Sequence, residues 1–481
     1  MTQRNKVHQL IVRQRQEHLE RLREFLAQPS VSQEGEEKVR ECAGLLLRYF
    51  RELGCREAEL VETPGFPAVW AHYDAGAAKT VAVYGYFDTN VLGDSWIYPP
   101  YEAVVAEHSP FKKVAYGPGA ATKGGLVTFL NALSVIKAVE GNLPVNLMFV
   151  CEGEEWLGSP HIPLLIERYR DRLSKADAFL NPRPCQNAAG EVTVYLGNKG
   201  CLHIELECSG DRWGRGPTGR ALHSSRQPVV DSPVWRLVHA LATLYNPEEN
   251  RSLVEGFYNG LLEPTVEEEA LIDALAERYK GREASAVGCG TVKHLIGDIT
   301  GRDVFLRMCY QPTMNISGLR AGYTGPGTKF WTLPNVAYCN IDCRLPAELD
   351  PEVLLQQIRD HLDRHGYKDI GIQVLESTPS AHTLGMKDNV TQAALRVFSD
   401  WDIDPVIWPR AGAGGPTGHF SRLLNLKPLI STGMAHAGQS GDSAFLVVEG
   451  DGKVGGLIEL EQSFADLLYS YAAYPAEFQE S

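Results

Sequence analysis

Apolar residues recur three and four positions apart over residues 8–26 and 36–54, which predicts two amphipathic helices. Ser30 and Ser32 lie between them as loop and cap residues. Short apolar runs follow at 67–73, 80–87 and 145–152, each read as a strand, with a helical pattern at 124–141 between the last two. Strand, loop, helix, strand is the rhythm of an α/β unit, and chemistry in such units collects in the loops after the strands. Near residue 200 the pattern changes. Residues 201–210 and 335–346 alternate as strands, and helices are expected at 233–245, 266–281 and 351–365. The chain then returns to a helix (389–400), a strand, a Gly-rich stretch (410–418), another strand and a last helix (457–473). The simplest plan is one α/β domain with a mixed, largely parallel sheet flanked by helices, built from residues 1–205 and 381–481 and interrupted by an α+β domain at 206–380.

The chain has 481 residues, too many for one core. Hydrophobic residues make up 44% and charged residues 22%, as in ordinary globular proteins. A net charge of −14 argues against nucleic acid and anionic membranes as partners. No apolar run is long enough to span a bilayer, and the charged first residues do not read as a secretory signal. The ten cysteines show no Cys-x-x-Cys spacing, so reduced thiols and a cytoplasmic location are expected. Leu45, Leu46, Tyr49 and Phe50 read as core, and the acidic run 267–277 as a solvated amphipathic helix.

Eight short segments occur in order: YGYFDTN (84–90), YGPGAATKGG (116–125), EGEEWLGS (152–159), GNKG (197–200), ALHSS (221–225), PTMNISGLRAGYTGPGTK (312–329), NIDCRLP (340–346) and MAHAGQSGD (434–442). Together they resemble the M20 metallopeptidases, in the style of the dipeptidase and carboxypeptidase branch. The resemblance implies a zinc-peptidase-like catalytic domain, an inserted lid and dimerisation domain, a homodimer, and hydrolysis of an amide next to a free carboxylate.

The same resemblance implies two metal ions, which need about five ligands with a bridging carboxylate. The family's histidine ligand falls on Tyr86, while Asp88, which would orient that histidine, is kept. The bridging aspartate falls on Ala121 or Thr122. In EGEEWLGS the general base falls on Glu155 and the ligand on Trp156; a one-residue slip would make them Glu154 and Glu155. The acidic ligand closing the next strand falls on Asn181, and the last ligand, a histidine, is present as His436. With four ligand positions lost, no tightly bound metal and no other cofactor are expected. A single ion on Asp88, Glu155 and His436 is the remaining metal alternative.

Several groups suited to chemistry survive. Glu155 is the candidate general acid–base; otherwise it is a carboxylate held by backbone donors. His223 matches the lid histidine that stabilises an oxyanion; otherwise it is an exposed loop histidine. Arg344 matches the lid arginine that pairs with the substrate carboxylate, and Asn315 a lid position near it. Gly414 and Gly415 lie in a stretch resembling the loop that lines the substrate pocket, flanked by Arg410 and His419. Tyr86 and Trp156 would fill the vacated metal space or wall the pocket. Three readings compete. The first is a metal-independent enzyme for amino-acid-like or peptide-like carboxylates, acting by acyl transfer, elimination, isomerisation or cleavage of an activated bond. The second is a non-catalytic scaffold, and the third an ordinary metal-dependent hydrolase.

Overall fold

The helical periodicity at the start of the chain is realised as α-helices Gln3–Ala27 and Glu36–Leu53. Leu46, Tyr49 and Phe50 enter the core, while Leu45 is half-buried. Ser30 and Ser32 do not cap the second helix: Gly35, at φ +121°, stands at that position without a side-chain cap. Both serines turn inward instead. Ser30 Oγ accepts from Lys123 Nζ at 3.3 Å, and the Ser32 side chain bonds to Asp88.

The computed structural model describes residues 2–325, 327, 331–347, 349–438 and 443–474. The ends of two motifs singled out above, at 326–329 and 439–442, lie wholly or partly outside the described residues. The chain divides into two units, one of Met1–Gly197, Ala381–Ala411 and His419–Ser481, the other of Asn198–Ser380 and Gly412–Gly418.

The first unit contains an eight-stranded mixed sheet. At its centre, Thr80–Tyr86 runs parallel to both Asn146–Glu152 and Ala178–Asn181, and Pro428–Ile430 is parallel to the latter. Antiparallel strands Glu57–Val61 and Ala68–Tyr73 close one edge. Helices Gln3–Ala27, Lys123–Glu140 and Leu457–Ala472 pack against one another. Because the central strands are parallel, Tyr86, Glu152 and Asn181 all end on the same edge of the sheet, where a doubly covered parallel sheet presents its loops.

A five-stranded sheet escaped the sequence reading. It joins Val105–His108, Phe111–Tyr116, Phe445–Glu449, Gly433–Gly438 and Pro184–Gln186, and it carries His436. The Gly-rich stretch also departs from expectation, running into a helix, Thr417–Leu424, before the next strand.

The second unit is α+β. Its antiparallel sheet has the order Asn315–Ala321, Val336–Leu345, Gly200–Ser209, Gly371–Thr378. The alternation read from the sequence puts Leu202, Ile204, Ile341 and Cys343 on a buried face, packed with Leu237 and Ile358 of helices Pro233–Leu244 and Pro351–Arg364. Helix Val266–Arg278 starts with a capping box between Thr265 and Glu268 and buries Ile272 and Leu275. All ten cysteines are free. Among the described residues no helix is long and apolar enough to cross a membrane.

Candidate active site

The site is assembled on the strand ends of the first unit, and its acids divide the work. Asp88, two residues past the strand Thr80–Tyr86, is fully buried. Its Oδ1 accepts the Glu155 backbone N–H at 3.1 Å and its Oδ2 that of Trp156 at 3.0 Å, with the Ser32 side chain as a further partner. Burial pushes the Asp88 carboxyl up to about 6, and these hydrogen bonds offset only part of that rise. Asp88 therefore pins the short turn Glu155–Leu157 from beneath.

Glu154 is likewise committed to structure. It is buried, its Oε1 accepts the Phe66 N–H at 3.0 Å, and its carboxylate pairs with His161 Nδ1 at 2.9 Å. Glu152 is buried too, and its Oε1 accepts from the Tyr84 hydroxyl at 2.6 Å and from Ser159 Oγ at 2.8 Å. Burial raises the Glu152 carboxyl well above the usual carboxylate range, and its Oε2 has no partner among the described residues. Glu155 differs from both: it is half-buried, and its charge acts on Tyr84, Tyr86 and Arg183.

Tyr86, buried at the strand end, accepts a hydrogen bond on its hydroxyl from Arg183 Nη2. The Arg183 guanidinium carbon stands 5.0 Å from the Tyr86 ring centroid. Burial holds the Tyr86 phenol far above its ordinary pKa, so it stays protonated. Arg183 was not singled out from the sequence. It follows the strand ending at Asn181 by two residues, and its backbone is packed against the helix Lys123–Glu140. A Cβ on Gly125 would lie 2.5 Å from the Pro182 carbonyl oxygen and 3.2 Å from Arg183 Cα, so the Lys-Gly-Gly segment is what lets this loop close down.

Tyr86, Ala121, Thr122 and Trp156 line one pocket of about 270 Å³, together with Trp96 and neighbouring loop residues. Trp156 is 45% exposed, so it forms part of the wall and does not fill the interior. Asn181 is buried. His436 donates from Nδ1 to the Gln186 carbonyl at 2.9 Å, which leaves Nε2 as the ring's acceptor. Burial lowers its pKa and keeps it neutral. Phe111 and Phe445 flank its ring, at 5.5 and 5.8 Å between centroids. Among the described residues no group of three or more His, Cys, Asp or Glu is placed to hold a metal ion.

The second unit holds the remaining candidates. His223 is exposed, and its Nδ1 accepts the Ser225 backbone N–H at 3.2 Å, so the proton sits on Nε2 and can be donated outward. Arg344 and Asn315 flank Asp342 on the polar face of the four-stranded sheet. Arg344 Nε pairs with Asp342 Oδ1 at 3.0 Å, and Asn315 lies opposite Asp342 in register. Gly414 packs its backbone on Lys199 and Gly200, where a Cβ would meet the Lys199 carbonyl at 2.7 Å, whereas Gly415 faces open space. In the first unit, Arg410 is buried and donates to Thr383 Oγ1 at 3.0 Å, and His419 lies in the helix Thr417–Leu424.

Comparison with known proteins follows the same lines. A family model described as a peptidase dimerisation domain matches residues 197–370. The solved M20 family metallo-carboxypeptidase of Sulfolobus solfataricus superposes with a TM-score of 0.82 and 26% identity, covering 95% of this chain and 100% of that one. The chain has the M20 peptidase fold. Human carnosine dipeptidase 1 shares it at a TM-score of 0.79 and 22% identity, covering 98% of this chain and all of that one. Among curated relatives, the human Beta-Ala-His dipeptidase is 26% identical over 307 residues, 62% of this chain, and the match spans only 56% of that protein's length. The Cys-Gly metallodipeptidase of Candida albicans is 24% identical over 437 residues, 86% of this chain and 87% of its own. These relatives and this structural neighbour are all peptidases by name.

Proposed function

We propose that the first unit of this M20 chain is a metal-independent acid–base site acting on amino-acid-like or peptide-like substrates with a free carboxylate. The observation that carries this reading is the division of labour among its acids. Glu152 and Glu154 bond to internal partners and Asp88 to the backbone of the turn, while half-buried Glu155 precedes Trp156 of the pocket wall and its charge reaches Tyr86. A carboxylate fixed through its own backbone amide is positioned for proton transfer. The donors do not fit a pair of divalent ions. A phenol bonded to a guanidinium, a methyl group, an exposed indole and a buried amide stand where the resemblance asks for anionic or imidazole ligands. Of the single-ion alternative, Asp88 has both oxygens engaged by N–H donors.

Catalysis then rests on the chain's own groups. Glu155 takes or gives the proton, and the pocket wall excludes water from one side of the substrate. For the second unit, the resemblance assigns a carboxylate anchor to Arg344 and an oxyanion donor to His223. Because that unit matches a peptidase dimerisation domain, we include a homodimer in the reading.

A metal-dependent dipeptidase is the second reading, favoured by the names of the relatives. One experiment separates the two: elemental analysis of protein purified without chelator, and turnover of a dipeptide and acyl-amino-acid panel with and without added zinc, manganese or EDTA. We expect well below one metal ion per chain, chelator-resistant turnover, and a loss of roughly 10²–10⁴-fold in Glu155→Gln. Close to two ions per chain, with turnover abolished by EDTA, would establish the second reading.

A further inference from the structure

The four ligand positions that the resemblance implies have lost their anionic or imidazole donors, and beside one of them, Tyr86, stands a cation that the resemblance does not imply. Arg183 is held deep beside Tyr86 and within the field of Glu155, yet it keeps contact with solvent. A guanidinium carries five N–H donors in a planar fork and stays protonated under all ordinary conditions. The Tyr86 hydroxyl takes one of these donors, and the ring face beside it fixes the plane of the fork. The backbone behind Arg183 is immobilised by its close approach to Gly125. The half-buried Glu155 is the carboxylate whose charge acts on it. Burial works against this charge, but its neighbours, Glu155 among them, more than offset that, so Arg183 stands as a stable, partly accessible cation at the strand ends.

Resting on the placement of the site given above, we propose that Arg183 is its built-in electrophile: with the Tyr86 hydroxyl beside it, its guanidinium receives an anionic oxygen of the ligand where the other M20 proteins would use metal. The positive charge is thus supplied by the chain. Two kinds of anionic oxygen satisfy this chemistry: a standing carboxylate, which is planar and matches the fork in two places, and the oxyanion of a tetrahedral intermediate.

Calorimetric titration of the full chain in metal-free buffer tests the proposal. N-acetylglycine is the planar probe, inorganic phosphate the tetrahedral one, and N-acetylglycinamide the neutral control. We expect the wild type to bind at least one of the two anions and not the amide. Arg183→Met should weaken that binding at least tenfold, Arg183→Lys by a smaller factor, and Tyr86→Phe a few-fold. Preference for N-acetylglycine assigns a standing carboxylate, and preference for phosphate an oxyanion-like geometry. Glu155→Gln should keep anion binding, so a failure of the acid–base reading leaves this result intact. Should Arg183→Met not fold by circular dichroism, the lysine and Tyr86→Phe variants decide. Anion binding unchanged in every Arg183 and Tyr86 variant, binding lost in Arg344→Met alone, or no anion binding by the wild type would each overturn the proposal.

Discussion

Replacing Asp88 with asparagine isolates the cost of keeping a buried carboxylate under the Glu155 turn. The folded carboxyl is pushed to about 6 from an ordinary 3.8, just over two pH units. At ~1.4 kcal/mol per unit, ionised Asp88 costs the fold about 3 kcal/mol above pH 7, hydrogen bonds included. The sign follows from linkage. The folded pKa is raised, so the group's favourable contribution is complete below the unfolded value of 3.8 and is lost as pH rises through about 6. Asparagine removes that charge but meets the Glu155 and Trp156 N–H groups with one oxygen instead of two, leaving a donor unpaired at ~1–3 kcal/mol. The two effects nearly cancel above pH 7, so Asp88→Asn should match or exceed the wild type in stability by up to ~2 kcal/mol at pH 8. At pH 5 that balance should shift back toward the wild type by ~1.4 kcal/mol. Urea denaturation of both proteins at pH 5 and 8 in metal-free buffer gives the difference. Hydrogen exchange at the Glu155 and Trp156 amides should accelerate in the variant at either pH. A stability difference that does not change between pH 5 and 8 would refute the reasoning, because Asp88 would then titrate as an exposed carboxylate.

Other perturbations follow from the same geometry. Gly125→Ala would ordinarily favour a helix by up to ~1 kcal/mol, but its Cβ meets immovable backbone at Pro182 and Arg183, so a net loss of ~1–3 kcal/mol is expected in thermal denaturation; a stabilised variant would contradict the close packing. Glu154→Ala strips the Phe66 N–H and His161 of their acceptor and should cost ~2–3 kcal/mol in the same denaturation; an unchanged unfolding midpoint would contradict that pairing. Trp156→Ala removes a side chain that is 45% exposed; stability should fall by less than ~1 kcal/mol while N-acetylglycine binding weakens, and a large loss of stability would mean that the indole is core.

Periodicity served well wherever an element buries one regular face. The helices Gln3–Ala27 and Lys123–Glu140 and the alternating strand Val336–Leu345 lie within a few residues of their expected positions. It failed for elements too short to show a period. Val105–His108 has four residues, and Phe111–Tyr116 begins straight after Pro110 and carries two exposed lysines, so neither reads as a strand. Thr417–Leu424 was hidden by the glycines before it. At the site, the motifs located Tyr86, Glu155, Trp156 and His436 because each stands at a fixed offset from a recognisable Gly, Ser or Ala. They could not reveal that Ser32 and Asp88 support the Glu155 turn, since those contacts join segments far apart in sequence. Arg183 is one arginine among many in the chain. Its only signal is position, two residues beyond an expected acidic ligand that is instead Asn181.

The strands and loops that bracket the long insert also say something about how such a chain can be cut and rejoined. Within the first unit the Leu384 N–H donates to the Leu196 carbonyl at 2.7 Å, and the Ala411 N–H to that of Gly197 at 2.8 Å. The points where the polypeptide departs and returns therefore lie side by side. Replacing the 183 residues between Gly197 and Ala381 with a turn of about five would leave those contacts in place and relieve ~3 kcal/mol of loop-closure entropy. Residues 412–418 pack on the insert and would have to be shortened with it. Grafting, permutation and shuffling of the insert among relatives should therefore be tolerated at this seam more readily than anywhere along the eight-stranded sheet.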